Sequence, residues 1–262
     1  MPKISILGCG WLGLPLAERL LADGYAVKGS TTSTEKIPLL QAAGIEPFEI
    51  VLSADGVSGN IEHFLDSDIL VIDIPPKLAQ GLFTDKIKAL LPHLHRAPVT
   101  RVLFVSSISV YAENAGDVDE NSAANPETEN GKQLLEAEAL LRSDTHFQTT
   151  ILRFGGLIGN GRHPVKYLAG RENIPSPDAP INLIDAEDCI GIIQQIIALE
   201  KWGQTYNAVA RYHPTRKDYY TQKAEESGLS LPHFADDNAS GKTVSSQKIT
   251  ADLHYDFRKP QL

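Results

Sequence analysis

In the stretch ILGCGWLGLPLAERL, Gly8, Gly10 and Gly13 stand in the spacing G-x-G-x-x-G, directly after an apolar run and directly before a helical one. A dinucleotide site needs that order. The first glycine permits a tight turn, the second lets the backbone approach a pyrophosphate, and the third lets helix and strand pack closely. The helix N-terminus then offers free N–H groups and a partial positive charge to the phosphates. Trp11 and Leu12 lie inside this turn and are counted with it. A glycine-rich turn with no ligand is the competing reading, and the strand–turn–helix context argues against it.

Nucleotide choice is read at the end of the second strand, where an Asp or Glu commonly holds the ribose 2′-hydroxyl. The segment here is GSTTSTEK, with Thr31 at the acidic position and Ser30, Thr32, Ser33 and Lys36 around it. Hydroxyl donors and an ammonium suit a 2′-phosphate. NADP is therefore the expected cofactor, with NAD the other reading and a merely solvated turn the third. Other constellations fall short. His93-x-His95 has no third ligand at a recognisable spacing and closes a surface helix, so no metal site is expected. Gly56-Val57-Ser58-Gly59 lacks the second spacing of a nucleophile elbow. Gly241-Lys242-Thr243 has Asp236 where a P-loop requires glycine, and no strand precedes it. The acidic run 117–120 reads as a solvated loop.

These residues need elements to hold them. Short apolar runs at 3–7, 26–29, 45–50, 68–74, 101–105 and 148–153 read as strands, and 12–22, 35–43, 83–94 and 131–142 as helices between them. Near-continuous apolar strands alternating with helices form a parallel sheet covered on both faces, an α/β doubly wound fold of the Rossmann type. After Arg153 the texture turns rich in Gly and Pro. Residues 1–154 are accordingly expected to form the nucleotide-binding domain and 155–262 a smaller substrate lobe. Segments in about 181–209, among them a strand at INLI, a helix at 186–199 and a strand at QTYNAV, would return to the main sheet. A helix over 215–226 and a final strand and helix within 242–259 complete the reading.

Bulk composition narrows the partners. The net charge is -9, from 24 basic and 33 acidic residues, which opposes non-specific binding to nucleic acid or anionic lipid. No long uncharged apolar window appears, and MPKISILGCG runs straight into a strand, so neither a membrane span nor a secretory signal is expected. Cys9 and Cys189, the only two cysteines, do not make a disulfide framework; a reducing cytoplasm is expected. The sequon Asn238-Ala239-Ser240 then has no role.

Four segments together carry a family resemblance. RVLFVSSISVYA resembles the Ser-Ser-x-x-Val-Tyr-Gly stretch of the extended short-chain dehydrogenases/reductases, the NAD(P)-dependent epimerase/dehydratase superfamily. ILRFGGLIGNGR resembles its Leu-Arg-x-x-x-x-x-Gly-x-Gly-Arg stretch, INLIDAEDC its Asn-x-Ile-x-x-x-Asp segment, and GKTVSSQKI its C-terminal end. The likeness spans nearly the whole chain and is greatest for the short, atypical YeeZ-like subgroup. It implies that Ser107 polarises the substrate oxygen and that Ser109 adds a hydroxyl to the same cleft. Asp73, Ile74, Pro75, Ser106 and Arg153, at strand ends, would lie beside the cofactor. A nucleotide sugar or related small molecule is the implied substrate, and a monomer or homodimer the implied assembly.

One departure weakens the implied chemistry. The family carries Tyr-x-x-x-Lys at the start of the next helix, where the lysine lowers the phenol's pKa for proton transfer. In PETENGKQLLEAE, matching Gly131 and Glu138 to the family pattern puts Asn130 and Leu134 at those two positions. Sliding by two puts Lys132 at the lysine but Thr128 at the tyrosine. Tyr111 is the substitute proton donor closest to the site, with Tyr167 and His163 further off. An atypical NAD(P)-dependent epimerase/dehydratase or oxidoreductase is the leading expectation. A non-catalytic NADP(H)-binding sensor or regulator is the rival, because the fold does not decide between them.

Overall fold

The apolar runs assemble as one seven-stranded sheet in the computed structural model, which describes residues 1–76, 82–237 and 239–262. In chain order the elements are β1 (Lys3–Leu7), α1 (Gly13–Ala22), β2 (Ala26–Thr31), α2 (Ile37–Ala42), β3 (Glu46–Glu49), β4 (Val51–Ser53), β5 (Gly56–Ser58), α3 (Ile61–Phe64) and β6 (Ile69–Ile72). Next come α4 (Phe83–Leu94), β7 (Arg101–Ser107), β8 (Gly116–Val118), α5 (Glu129–Ser143), β9 (Gln148–Phe154), β10 (Gly156–Ile158) and α6 (Val165–Leu168). The chain closes with β11 (Leu183–Asp185), α7 (Ala186–Ala198), β12 (Thr205–Ala208), α8 (Arg216–Glu226), β13 (Lys242–Val244) and α9 (Gln247–Leu253).

All neighbours in the main sheet pair in parallel, in the order β12-β9-β7-β6-β1-β2-β3. From β1 the chain winds outward to β2 and β3, then crosses to β6 on the other side. That reversal leaves a crevice at the carboxyl ends of β1 and β6, the place where open α/β sheets bind ligands. One apolar core lies between the sheet and α1, α7 and α9; a second lies against α4 and α5. β6 is buried along its whole length, as a strand covered on both faces must be.

Local signals set the helix starts. Thr128 caps α5 by accepting from the Gly131 N–H at 3.1 Å, and Asp185 caps α7 by accepting from the Glu187 N–H at 2.9 Å. A smaller cluster of Ile158, Val165, Ile181, Leu183, Tyr219 and Tyr220 packs beyond the sheet. Here β11 pairs with β10 in a separate two-stranded ladder, whereas β12 joins β9 in the main sheet.

Two further features depart from the residue pattern. β4 and β5 form an antiparallel hairpin where no strand was expected, because three-residue strands carry too little periodicity to be read. The run 117–120 is not a solvated loop throughout. Gly116–Val118 pairs with β13, Val118 is buried, and the Glu120 carboxylate accepts from the Asn207 N–H at 2.7 Å. Asn238 of the sequon lies outside the described residues. Among the described residues no helix is long and apolar enough to cross a membrane, and both cysteines are free and buried.

Candidate cofactor and substrate site

The glycine turn sits on the β1 side of the crevice. Gly8 has φ +110°, and a Cβ there would lie 2.3 Å from the Asp73 carbonyl oxygen. A Cβ on Gly13 would lie 2.1 Å from the Gly8 carbonyl oxygen. Both positions therefore exclude side chains for packing reasons. Gly10 is different: a Cβ there meets nothing within 4 Å, which is open space at the spot where backbone must approach a pyrophosphate. No side chain caps α1, so its N-terminus keeps its anion-binding character. Leu12 is buried and offers only backbone to a ligand. Trp11 is half-buried beneath the Arg162 guanidinium, which lies 5.2 Å from the ring centroid.

The second-strand turn lies alongside. Ser30 is buried, and its hydroxyl accepts from the Gly8 N–H at 3.0 Å, so it braces the glycine turn. Thr31 accepts from the Ser33 N–H at 3.1 Å. Thr32 and Lys36 are exposed. The parallel register sets Thr31 opposite Glu49, whose carboxylate accepts from the Thr34 hydroxyl at 3.0 Å. That carboxylate beside the turn has no signal in the local sequence, because β3 delivers it.

Across the crevice, Asp73 is pressed under the turn. Burial pushes its carboxyl up to about 7, against the opposing hydrogen bond from the Gly13 N–H. Burial, and then the charge of Asp73, push the Cys9 thiol up to about 12, which leaves it inert. Ile74 is half-buried, with its Cγ2 beside Gly8, and Pro75 is exposed.

Ser106, Tyr111 and Arg153 are brought together, but in the interior. The Ser106 hydroxyl donates to Glu138 Oε1 at 2.6 Å. Arg153 donates to both Glu138 oxygens, at 3.0 and 3.2 Å from Nε and 2.5 Å from Nη2, and to the Tyr111 hydroxyl at 2.7 Å from Nη1. That hydroxyl also lies 2.9 Å from the Asp119 carbonyl and 3.0 Å from Asn207 Oδ1. Glu138, Arg153 and Tyr111 are 2, 5 and 1% exposed. Burial raises the Tyr111 pKa, with Arg153 partly opposing the shift. Tyr111, expected as a substitute proton donor, thus sits in a buried hydrogen-bond network and is not among the residues lining the Ser107 cavity.

The cleft itself is a cavity of about 260 Å³ at the carboxyl end of β7, lined by Ser107, Ser109, Glu113, Arg216, Tyr220 and Lys242 among others. Ser107 accepts from the Ser109 N–H at 3.1 Å. Lys242 is 4% exposed and donates to the Tyr111 carbonyl at 2.9 Å and to Glu113 Oε1 at 3.0 Å. Burial raises the Tyr220 pKa, and the nearby Arg216 charge opposes it. Glu113, Arg216, Tyr220 and Lys242 were missed from sequence because the last three come from segments about a hundred residues beyond Ser107, Ser109 and Glu113. α5 closes on the same region, with a Gly131 Cβ placed 2.4 Å from the Ser109 carbonyl oxygen. Asn130 and Lys132 are exposed on it and Leu134 is buried. Tyr167 is exposed, while His163 lies 2.9 Å from the Tyr219 hydroxyl. A larger groove, of about 880 Å³, runs beside β8, β13 and α9 and contains none of the expected site residues.

The NAD(P)H-binding family matches residues 8–190. Protein YeeZ of Escherichia coli K12 is 33% identical, over 99% of this chain and 97% of its own. A Methylobacillus flagellatus protein, provisionally described as an NAD-dependent epimerase/dehydratase, is 28% identical at a TM-score of 0.80, covering 99% of this chain and 94% of its own. The UDP-glucuronic acid 4-epimerase of Bacillus cereus, in complex with NAD, shares the fold at a TM-score of 0.78 and 20% identity, over 98% of this chain and 94% of its own. The chain accordingly belongs to the NAD(P)H-binding family, as a YeeZ homologue within the epimerase/dehydratase and short-chain dehydrogenase/reductase superfamily.

Proposed function

We propose that the protein is an NADP(H)-dependent epimerase/dehydratase or oxidoreductase acting on a nucleotide sugar or a related carbonyl or alcohol. The observation that carries this reading is the cavity beside Ser107, which holds a hydroxyl, a phenol, the Arg216 cation and the Lys242–Glu113 ion pair at the carboxyl end of a central strand. Bound cofactor supplies or accepts hydride. Gly8, Gly10 and Gly13 and the α1 N-terminus would hold its pyrophosphate, and Thr32 and Lys36 its 2′-phosphate.

Ser107 hydrogen-bonds the substrate oxygen. Neither register of the α5 start, with Asn130 and Leu134 or with Thr128 and Lys132 at the family's two positions, supplies a tyrosine, so the proton is taken to come from elsewhere, and Tyr220 is the phenol that lines this cavity. Its raised pKa keeps it protonated, which suits donation to a developing alkoxide. Arg216 gives the cavity positive charge for an anionic substrate, as the diphosphate of a nucleotide sugar is, while the Lys242 charge is met by Glu113 at 3.0 Å. The Bacillus cereus 4-epimerase of the same fold is named for such a substrate.

Single-turnover mixing with NADPH or NADP across a panel of nucleotide sugars and carbonyls, read at the nicotinamide absorbance, tests the proposal. Cofactor-dependent turnover of one class is the expected result. Tight NADP(H) binding without turnover across the panel would instead support the sensor or regulator.

A further inference from the structure

His93 and His95 form an i, i+2 pair in the sequence, but the fold separates them. His93 turns to Glu62, 3.4 Å away. His95, just past the end of α4, meets Asp144 and His146, just past the end of α5. His95 Nε2 lies 2.5 Å from Asp144 Oδ2, and His146 Nδ1 lies 3.0 Å from Asp144 Oδ1. The two imidazoles stack at 4.1 Å between centroids and 20° between planes. One ligand atom from each residue falls within 4.8 Å of the other two.

We propose that His95, Asp144 and His146 form a binding site for one divalent late first-row transition ion, Zn²⁺ being the reference case. Two imidazoles and a carboxylate are the donor set such ions take, with the remaining position left to water. Nitrogen and oxygen ligands about 2.0–2.2 Å from a tetrahedral ion stand roughly 3.3 Å apart, so the two short contacts need to open by less than about 1 Å. The ion takes the place of the hydrogens between His95 Nε2, His146 Nδ1 and the carboxylate, and each ring binds it in the neutral form with its one proton on the other nitrogen.

Two independent features prepare the place. Both α4 and α5 end here, and each helix C-terminus carries a partial negative charge that favours a cation. The carboxylate is also held in position, with the Asp144 side chain only 8% exposed and Oδ1 accepting from the His146 N–H at 2.9 Å. Magnesium and calcium, which prefer all-oxygen shells, do not fit two imidazoles.

The location separates this site from the cofactor. α4 leads into the start of β7 and α5 into the start of β9, so the cluster lies at the amino ends of the strands. The glycine turn and Ser107 lie at the carboxyl ends. An ion here ties two helix ends together and leaves hydride chemistry untouched.

Titration calorimetry of chelator-stripped full-length protein with zinc chloride tests the site. One site per chain is expected, unaffected by excess magnesium, and Co²⁺ in its place should give visible d–d absorption. His95→Ala and His146→Ala should each weaken zinc binding by more than about tenfold, a loss that even outer-shell changes can reach. Asp144→Asn should weaken it comparably, while His93→Ala should bind as the parent does. Circular dichroism confirms that each variant is folded, and His93→Ala serves as the matched surface control. Absence of zinc binding to the parent, or equal affinity in the His95→Ala/His146→Ala double variant, would overturn the proposal.

Discussion

Tyr220 and Thr31 carry the predictions at the scale of single residues. If Tyr220 donates the proton, Tyr220→Phe should lower kcat by about 10²-fold, the lower end of general acid effects, while NADPH affinity measured by fluorescence stays as it was. Equal losses in turnover and cofactor affinity would mark a packing role instead. At the second-strand turn, Thr31→Asp places a carboxylate where a 2′-phosphate would sit and where ribose hydroxyls can be held. The ratio of NAD to NADP affinity should rise. An unchanged ratio in parallel titrations would remove Thr31, and with it the NADP assignment. Glu49 makes this position sensitive, since its carboxylate already stands at the end of β3 opposite Thr31.

Elements impose their own demands, and two glycines of one turn should answer differently to the same change. Gly13→Ala drives a Cβ to 2.1 Å from the Gly8 carbonyl oxygen, so α1 must shift off β1 and the thermal midpoint should fall. Gly10→Ala meets open space and should leave the midpoint nearly unchanged. Its loss should appear in NADPH affinity alone, because the methyl occupies the approach of the pyrophosphate. A stable Gly10→Ala variant with parental affinity would place the cofactor elsewhere. Between α5, β7 and β9, Glu138 neutralises Arg153 inside the protein. Glu138→Gln strands a buried guanidinium and should cost about 3 kcal/mol in urea unfolding, whereas Glu138→Leu combined with Arg153→Met should recover part of that loss. A cost no larger for the single variant than for the double would show that the charges do not couple.

Over the whole molecule, Asp73 links folding to pH. Its folded pKa, about 7, stands above the ordinary carboxyl value of 3.8. The folded chain therefore holds a proton that the unfolded chain releases, and stability falls as pH rises between those values. The contribution is fully present below about pH 4 and lost once pH passes about 7. Asp73→Asn should flatten this part of a stability profile collected from pH 4 to 8; an unchanged slope would mean that Asp73 ionises freely in the fold. Burial under the glycine turn is the physical source of the shift.

Much of this was legible in the residues alone. Periodicity and apolar runs locate the main-sheet strands because each is long enough to show a face, and the G-x-G-x-x-G spacing marks the β1–α1 turn because its glycines are demanded locally. Hydroxyls next to one another in Ser106-Ser107 look equivalent in sequence, yet alternation along β7 sends Ser106 inward to Glu138 and leaves Ser107 on the cavity. Adjacency to that segment likewise suggested Tyr111 as proton donor, while its side-chain direction, set by packing against Arg153 and Asn207, could be decided only in three dimensions. The same holds for the Tyr220–Lys242 lining of the cleft and for the His95–Asp144–His146 cluster. The sequence by itself determined the doubly wound fold and the nucleotide turn, whose causes lie within a few residues of each other. Only the tertiary structure decided which hydroxyls, phenols and imidazoles face a common space, because that depends on where distant segments come to rest.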